Sequence, residues 1–144
     1  MNESKLDVKK RAVIEIAENL FLSQGLATPE MKEIARCASI SRSTLYRMFD
    51  SRETLAFAVA DKCLHELFDP KPMEIYGTDR SGFEILRSYS SNLIETMIQG
   101  VRYVKYLSEF DQMFSGDYPD TPEARKYVQF NRQRHDRQIL LNIL

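Results

Sequence analysis

The sequence predicts an all-α fold, and three observations carry that expectation. Apolar residues recur at i, i+3 and i+4 along most of the 144 residues, the spacing of one helix face rather than a strand. Helix starts and stops punctuate the chain at short intervals, with no low-complexity tract and no repeat. Five glycines and five prolines are too few for a turn-dense β architecture or a collagen-like one. With 43% hydrophobic and 28% charged residues, the chain can bury a core and is not expected to be disordered.

The elements follow in order. Val8, Ala12, Ile16, Ala17, Leu20 and Phe21 mark an amphipathic helix over 6–24, closed by Gly25 where a left-handed residue is cheapest in glycine. Thr28-Pro29-Glu30 reads as a helix start: hydroxyl cap, proline in the first turn, acid at the positive end of the dipole. That second helix is short, with Met31, Ile34, Ala35 and Ala38 inward. Ser41 caps a third helix from Arg42 to about Phe49, and Ser51 caps a fourth from Arg52, whose inner face carries Leu55, Val59, Cys63 and Leu67.

The fourth helix fails near Asp69-Pro70-Lys71-Pro72, and 70–80 reads as a loop. A fifth helix covers about 82–99 and ends at Gly100; a sixth covers about 101–114. Thr121-Pro122-Glu123 repeats the cap, proline and acid pattern and opens a seventh helix. It reaches Ile139, Leu140, Ile143 and Leu144 without a stop signal, so a helix ending there would leave these four residues without evident cover.

Composition also excludes function classes. Net charge is −1, from 20 basic and 21 acidic residues, so the chain as a whole is not a polycation. Between Arg36 and Arg52, however, Arg36, Arg42, Arg47 and Arg52 face only Asp50, a local 4 − 1 = +3. No stretch approaches the roughly 18 apolar residues of a membrane span. The N-terminus lacks the apolar run of a secretory signal, and Cys37 and Cys63 have neither disulfide-framework nor zinc-site spacing, which points to the cytoplasm. Scattered glycines, two histidines and the absence of His-Glu-x-x-His, Cys-x-x-Cys or Gly-x-Ser-x-Gly argue against an enzyme, and no cofactor is expected. Asp61, His65 and Asp69 share a helix face at i, i+4, i+8 but read as surface charge rather than a metal site.

The informative arrangement is helix, short break, short helix between 29 and 49. Such a unit makes a helix-turn-helix, whose second helix fits the DNA major groove. Arg42, Ser43, Thr44, Tyr46, Arg47 and Met48 would face outward, with Leu45 and Phe49 in the core. Arginine forks match the two acceptors on a guanine edge, and hydroxyls suit phosphate oxygens. Arg52 would add a phosphate contact at the next helix start. An ordinary helical hairpin with a solvated basic face fits the same periodicity.

The run Ile34-Ala-Arg-Cys-Ala-Ser-Ile-Ser-Arg-Ser-Thr-Leu-Tyr-Arg-Met-Phe-Asp-Ser-Arg-Glu-Thr-Leu55 resembles the DNA-binding signature of the tetracycline-repressor family, as does the preceding helix with Ala17, Leu20, Phe21 and Gly25. The resemblance covers roughly 8–60. It implies a bacterial transcriptional regulator with a three-helix DNA-binding head over 1–51. A long fourth helix would join it to a helical effector-binding and dimerisation body over 52–144, incomplete at its C-terminus.

The resemblance implies that the full-length form binds palindromic double-stranded operator DNA as a homodimer, as a repressor released by a small-molecule effector; without the family's further C-terminal helices that dimer is expected to be weakened or rebuilt here. Carried over by position, Tyr46 and Thr44 become phosphate contacts, and Arg42, Ser43 and Arg47 base-facing residues. Lys32 is a contact from the second helix, Ser41 sits at the start of the reading helix, and Arg52 replaces the usual lysine. Ser39 stands where the family mostly has glycine, a position that often needs a left-handed backbone, and Met48 where histidine is common.

Phe83, Tyr89, Met97, Tyr103, Tyr106, Phe110, Met113, Phe114 and His135 could line an effector pocket between body helices, or could simply be core. A second functional reading, a helical ligand-binding or protein-interaction module with a vestigial DNA head, is compatible with the same helices.

Overall fold

The computed structural model describes residues 4–68, 80–114 and 116–143, with side chains described to Gln133 in the last segment. The described residues hold seven helices and no strand: α1 Lys5–Gln24, α2 Met31–Cys37, α3 Arg42–Met48, α4 Arg52–Phe68, α5 Gly82–Gln99, α6 Val101–Phe114 and α7 Pro122–Ile143. The all-α expectation holds. The predicted break at Asp69 to Pro72 and most of the 70–80 loop lie outside the described residues, as do the side chains of His135, Ile139, Leu140, Ile143 and Leu144.

Local chemistry sets most helix ends. Ser4, Ser41, Ser51, Ser81 and Thr121 each place a hydroxyl oxygen to accept an amide three residues on, from Asp7, Thr44, Thr54, Glu84 and Ala124. At α5 the Glu84 carboxylate returns the contact to the Ser81 N–H at 2.9 Å, a complete capping box. The Ser81 N–H and the Ser81 hydroxyl both donate to Glu84 Oε2 at 2.9 Å and hold this exposed carboxyl below the ordinary carboxylate range.

The start of α2 departs from the expected pattern. Helix begins at Met31, with Glu30 at the cap position and no side-chain cap bond. Were Thr28 the cap, the Pro29 carbonyl would be the acceptor for an intrahelical amide; it accepts instead from Arg52 Nε at 2.8 Å. The proline ring itself is fully buried.

The core is centred on α4, which packs against α1, α6 and α7. Leu55, Val59 and Cys63 are fully buried and Leu67 nearly so, as the periodicity predicts, but Thr54, Ala56, Phe57, Ala58, Ala60 and Leu64 are buried too. A helix enclosed on several sides exceeds the single stripe of a surface helix. Gly100 shows how closely the elements approach: a Cβ there would stand 2.3 Å from Leu67 Cδ2.

Phe57 is the centre of an aromatic cluster, edge-on to Phe110 at 4.7 Å and to Tyr127 at 5.8 Å between ring centroids. The buried set runs unbroken from Val13 in α1 to Tyr127 in α7, so the first three helices and the rest share one core across α4. In α1 the inward stripe is Val13, Ala17 and Phe21, whereas Val8 and Ala12 are exposed because the first turns of α1 project beyond the packed surface.

Candidate nucleic-acid interface

The turn between α2 and α3 is a Schellman closure. Ser39 adopts φ 54°, its N–H donates to the Arg36 carbonyl at 3.1 Å, and the Ile40 N–H donates to the Ala35 carbonyl at 3.0 Å. The left-handed backbone anticipated at this position is present, carried by serine. Ile34 and Ala35 of α2 and Leu45 of α3 are buried below, so the two short helices form one unit on α1.

The faces of α3 then separate cleanly. Leu45 is fully buried, and Phe49, in extended conformation at the helix end, is 1% exposed. Arg42, Ser43, Tyr46 and Arg47 are exposed and Thr44 half-buried. Met48 corrects the expectation: it is buried, because position 48 falls three residues after Leu45 on the same inward side. Ser41 Oγ lies 3.0 Å from Ser43 Oγ and 2.8 Å from Thr44 Oγ1, and Arg47 donates to Thr44 Oγ1 at 3.3 Å. A short hydroxyl row therefore runs beside the arginines. Lys32 and Arg36 on α2 are exposed on a shallow concavity with Thr28, Glu30 and Glu33. Arg36 is a basic group that the site reading left aside, though the charge count contained it.

Arg52 departs most from its expected place. Besides Pro29, its guanidinium donates to the Leu26 carbonyl and lies over the Phe21 ring, 5.6 Å from the centroid. Half-buried and engaged on protein carbonyls, it holds the α1–α2 turn instead of presenting a free cation. The exposed bases of the 36–52 stretch are thus Arg36, Arg42 and Arg47.

Among the described residues, the predicted effector side chains do not all converge: Tyr106, Phe110 and Phe114 meet one another, and the rest are spread over α5 and α6. Tyr106 and Phe110 are buried, and Tyr106 donates its hydroxyl to the Ala56 carbonyl at 3.0 Å, so both are core. Burial among apolar neighbours raises the Tyr106 hydroxyl well above its ordinary pKa. Phe114 joins the Phe57 cluster, centroids 4.8 Å apart, and Tyr103 is half-buried with the Arg102 guanidinium over its ring. Phe83 is 73% exposed, Met97 and Met113 are exposed, and Tyr89 is half-buried. No residue of α5 is buried, since the helix meets the body along one edge and turns its apolar stripe outward. A separate open groove lies along α7 beside Tyr118, Arg125, Val128 and Arg132, none of them predicted.

Asp61 and His65 approach to 3.8 Å, and among the described residues no group of three candidate ligands could hold a metal ion; Asp69 lies outside them.

Residues 13–59 match the family described as bacterial regulatory proteins, tetR family. Over α1, α2, α3 and the first half of α4 the chain is thus similar to that family. Two curated relatives are each named as an uncharacterized HTH-type transcriptional regulator, from Mycobacterium tuberculosis strains CDC 1551 / Oshkosh and ATCC 25618 / H37Rv. Each is 50% identical over 46 residues, 32% of this chain and 23% of the relative. The match thus spans under a quarter of those relatives' length. No helix among the described residues is long and apolar enough to cross a membrane.

Proposed function

We propose that this chain is a DNA-binding transcriptional regulator whose α3 enters the major groove. The observation that carries the reading is the division of α3 into a buried side, Leu45 and Met48, and an exposed side, Arg42, Ser43, Tyr46 and Arg47. Seven residues at 1.5 Å rise make a rod of about 10 Å, which a groove about 12 Å wide accepts. In this reading Arg42, Ser43 and Arg47 face base edges, while Thr44, Tyr46 and Lys32 hold phosphates. Ser41 fixes the end of α3 that meets the DNA through its cap bond to Thr44. Arg52 takes part only through the turn it braces.

The division of labour places DNA recognition in 1–51 and oligomerisation and signal reception in 52–144. A homodimer would present two reading helices to half-sites about 34 Å apart on a palindrome. Acting in the cytoplasm, it would repress by occupancy and respond to a small molecule through the body. The tetR match supports the DNA-binding part of this reading; dimerisation, repression and effector response are carried by the family resemblance.

The test is selection from a randomised duplex pool, followed by titration of the enriched duplex at two salt concentrations. Phosphate neutralisation gives affinity falling steeply with salt. Failure to enrich any sequence, with no salt-dependent binding, would overturn the reading and favour a helical interaction module.

A further inference from the structure

We propose that Glu109, on α6, is a positioning residue for the DNA-reading head, holding the turn from which α2 and α3 project. The inference rests on the DNA-binding reading above. Its basis is a bond across 83 residues: the Leu26 N–H donates to Glu109 Oε2 at 3.1 Å. Charge-assisted amide–carboxylate bonds are stronger and more directional than neutral ones.

The place where this bond lands gives it meaning. Gly25 ends α1 with φ 87°, its N–H donating to the Phe21 carbonyl at 2.9 Å, and Glu109 Oε2 lies 3.7 Å from where a Cβ would stand. Leu26 is 1% exposed. Its carbonyl accepts from Arg52, at the start of α4. One residue is therefore gripped at its N–H by α6 and at its carbonyl by α4, with opposite charges matched to the two ends. α2 begins only five residues later, at Met31, and α3 is joined rigidly to α2 by the Ser39 turn.

A second contact between α6 and the head is of a different kind. Phe21 and Tyr106 stack with centroids 6.0 Å apart, an apolar contact that tolerates sliding. The Glu109–Leu26 bond fixes a register that stacking alone does not. Without it the head keeps its fold but spends less time in the orientation that meets DNA. Apparent affinity then falls in proportion to the competent fraction, while the bound complex makes the same phosphate contacts.

The test measures binding of a fluorescein-labelled mixed-sequence DNA duplex across a salt series, by anisotropy, with circular dichroism to confirm folding. Glu109→Ala is expected to bind about tenfold more weakly at every salt with an unchanged salt slope, the signature of a smaller competent fraction. Glu109→Gln keeps an acceptor and should bind within about twofold of the original chain. Glu109→Asp retains the charge but draws the carboxylate back, and should follow the alanine variant; it serves where Glu109→Ala fails to fold. The Leu26 amide should lose protection from hydrogen exchange in the alanine and aspartate variants and keep it in the glutamine variant.

Simple electrostatics predicts the reverse for Ala and Gln, since removing a negative charge strengthens attraction to DNA. Tighter or unchanged binding by Glu109→Ala or Glu109→Asp, while the original chain binds with a normal salt slope, overturns the positioning role alone. No salt-dependent binding by the original chain overturns the DNA-binding reading and this inference with it.

Discussion

Arg52 donates from Nε to the Pro29 carbonyl at 2.8 Å, so the first residue of α4 is tied to the turn ahead of α2. The same guanidinium reaches the Leu26 carbonyl and covers the Phe21 ring. This division of one planar fork between two carbonyls is a geometry that lysine, with a single ammonium, does not reproduce. Arg52→Lys is therefore expected to destabilise the fold by about 2 kcal/mol, the scale of a hydrogen bond to a charged group. Urea unfolding measures it. An unchanged midpoint would mean that Arg52 does not brace the turn.

Arg47 and Tyr46 are neighbours on the exposed side of α3 but carry different chemistry. Arg47→Ala removes a fork suited to a guanine edge, and should cost about 1–3 kcal/mol on the selected duplex while relaxing base preference. Tyr46→Phe removes one hydroxyl donor to a phosphate, and should weaken all sequences alike. Competition titrations against shuffled duplexes separate the two. Equal losses for Arg47→Ala on selected and shuffled DNA would remove it from base reading.

What the sequence made legible, and what it did not, divides along physical lines. The bounds of α5 and α6 follow directly from Gly100 and the apolar spacing, because helix stops and periodicity are local. α3 was legible for the same reason: Ser41 caps it and Leu45 sets its inward side. Met48 was missed because the expectation set only Leu45 and Phe49 inward, although position 48 falls three residues after Leu45 on the same side.

Contacts distant in sequence were invisible. Nothing near Arg52 indicates that its partners are Leu26 and Pro29, and nothing near Glu109 points to Leu26. Amphipathic spacing also identifies a face without identifying its cover. The stripes of α5 and α6 look alike in sequence, yet Phe110 is fully buried and Phe83 is 73% exposed.

Asp61 supplies a prediction with a defined sign. Its Oδ1 is buried without a hydrogen-bond partner, and burial raises its pKa from 3.8 against the opposing pull of His65 and Lys126. A raised folded-state pKa means that the folded chain holds this proton more firmly than the unfolded one. The stabilisation is fully present below 3.8 and is lost as pH rises through the folded value. At pH 7 the ionised carboxylate is thus a cost to the fold. Asp61→Asn should raise Tm at pH 7 and leave it nearly unchanged near pH 3. A lower Tm at pH 7 would show that attraction to His65 and Lys126 outweighs the burial.

Cys37 and Cys63 should differ in reactivity. Cys37 is exposed on α2, whereas Cys63 is fully buried on α4, and burial pushes its thiol up to about 12. Since the thiolate is the reactive form, a maleimide at pH 7 should modify one thiol per folded chain and the second only on unfolding. Mass spectrometry of the labelled peptides reads the site. Modification of Cys63 at the rate of Cys37 would mean that α4 opens readily from the core.

Ser39 holds φ 54° at the point where α2 closes and the chain turns into α3. A side chain there brings Cβ against backbone, a conformation that disfavours residues other than glycine by about 1–2 kcal/mol. Glycine removes that penalty but gains freedom in the unfolded chain, which returns part of it. The net expectation for Ser39→Gly is a gain of about 0.5–1 kcal/mol in unfolding free energy, with the denaturant slope unchanged. The Schellman bonds from residues 39 and 40 use backbone groups that glycine retains, so α3 keeps its orientation and DNA affinity should not move. A loss of stability would instead assign the Ser39 side chain a contact worth more than the strain it carries.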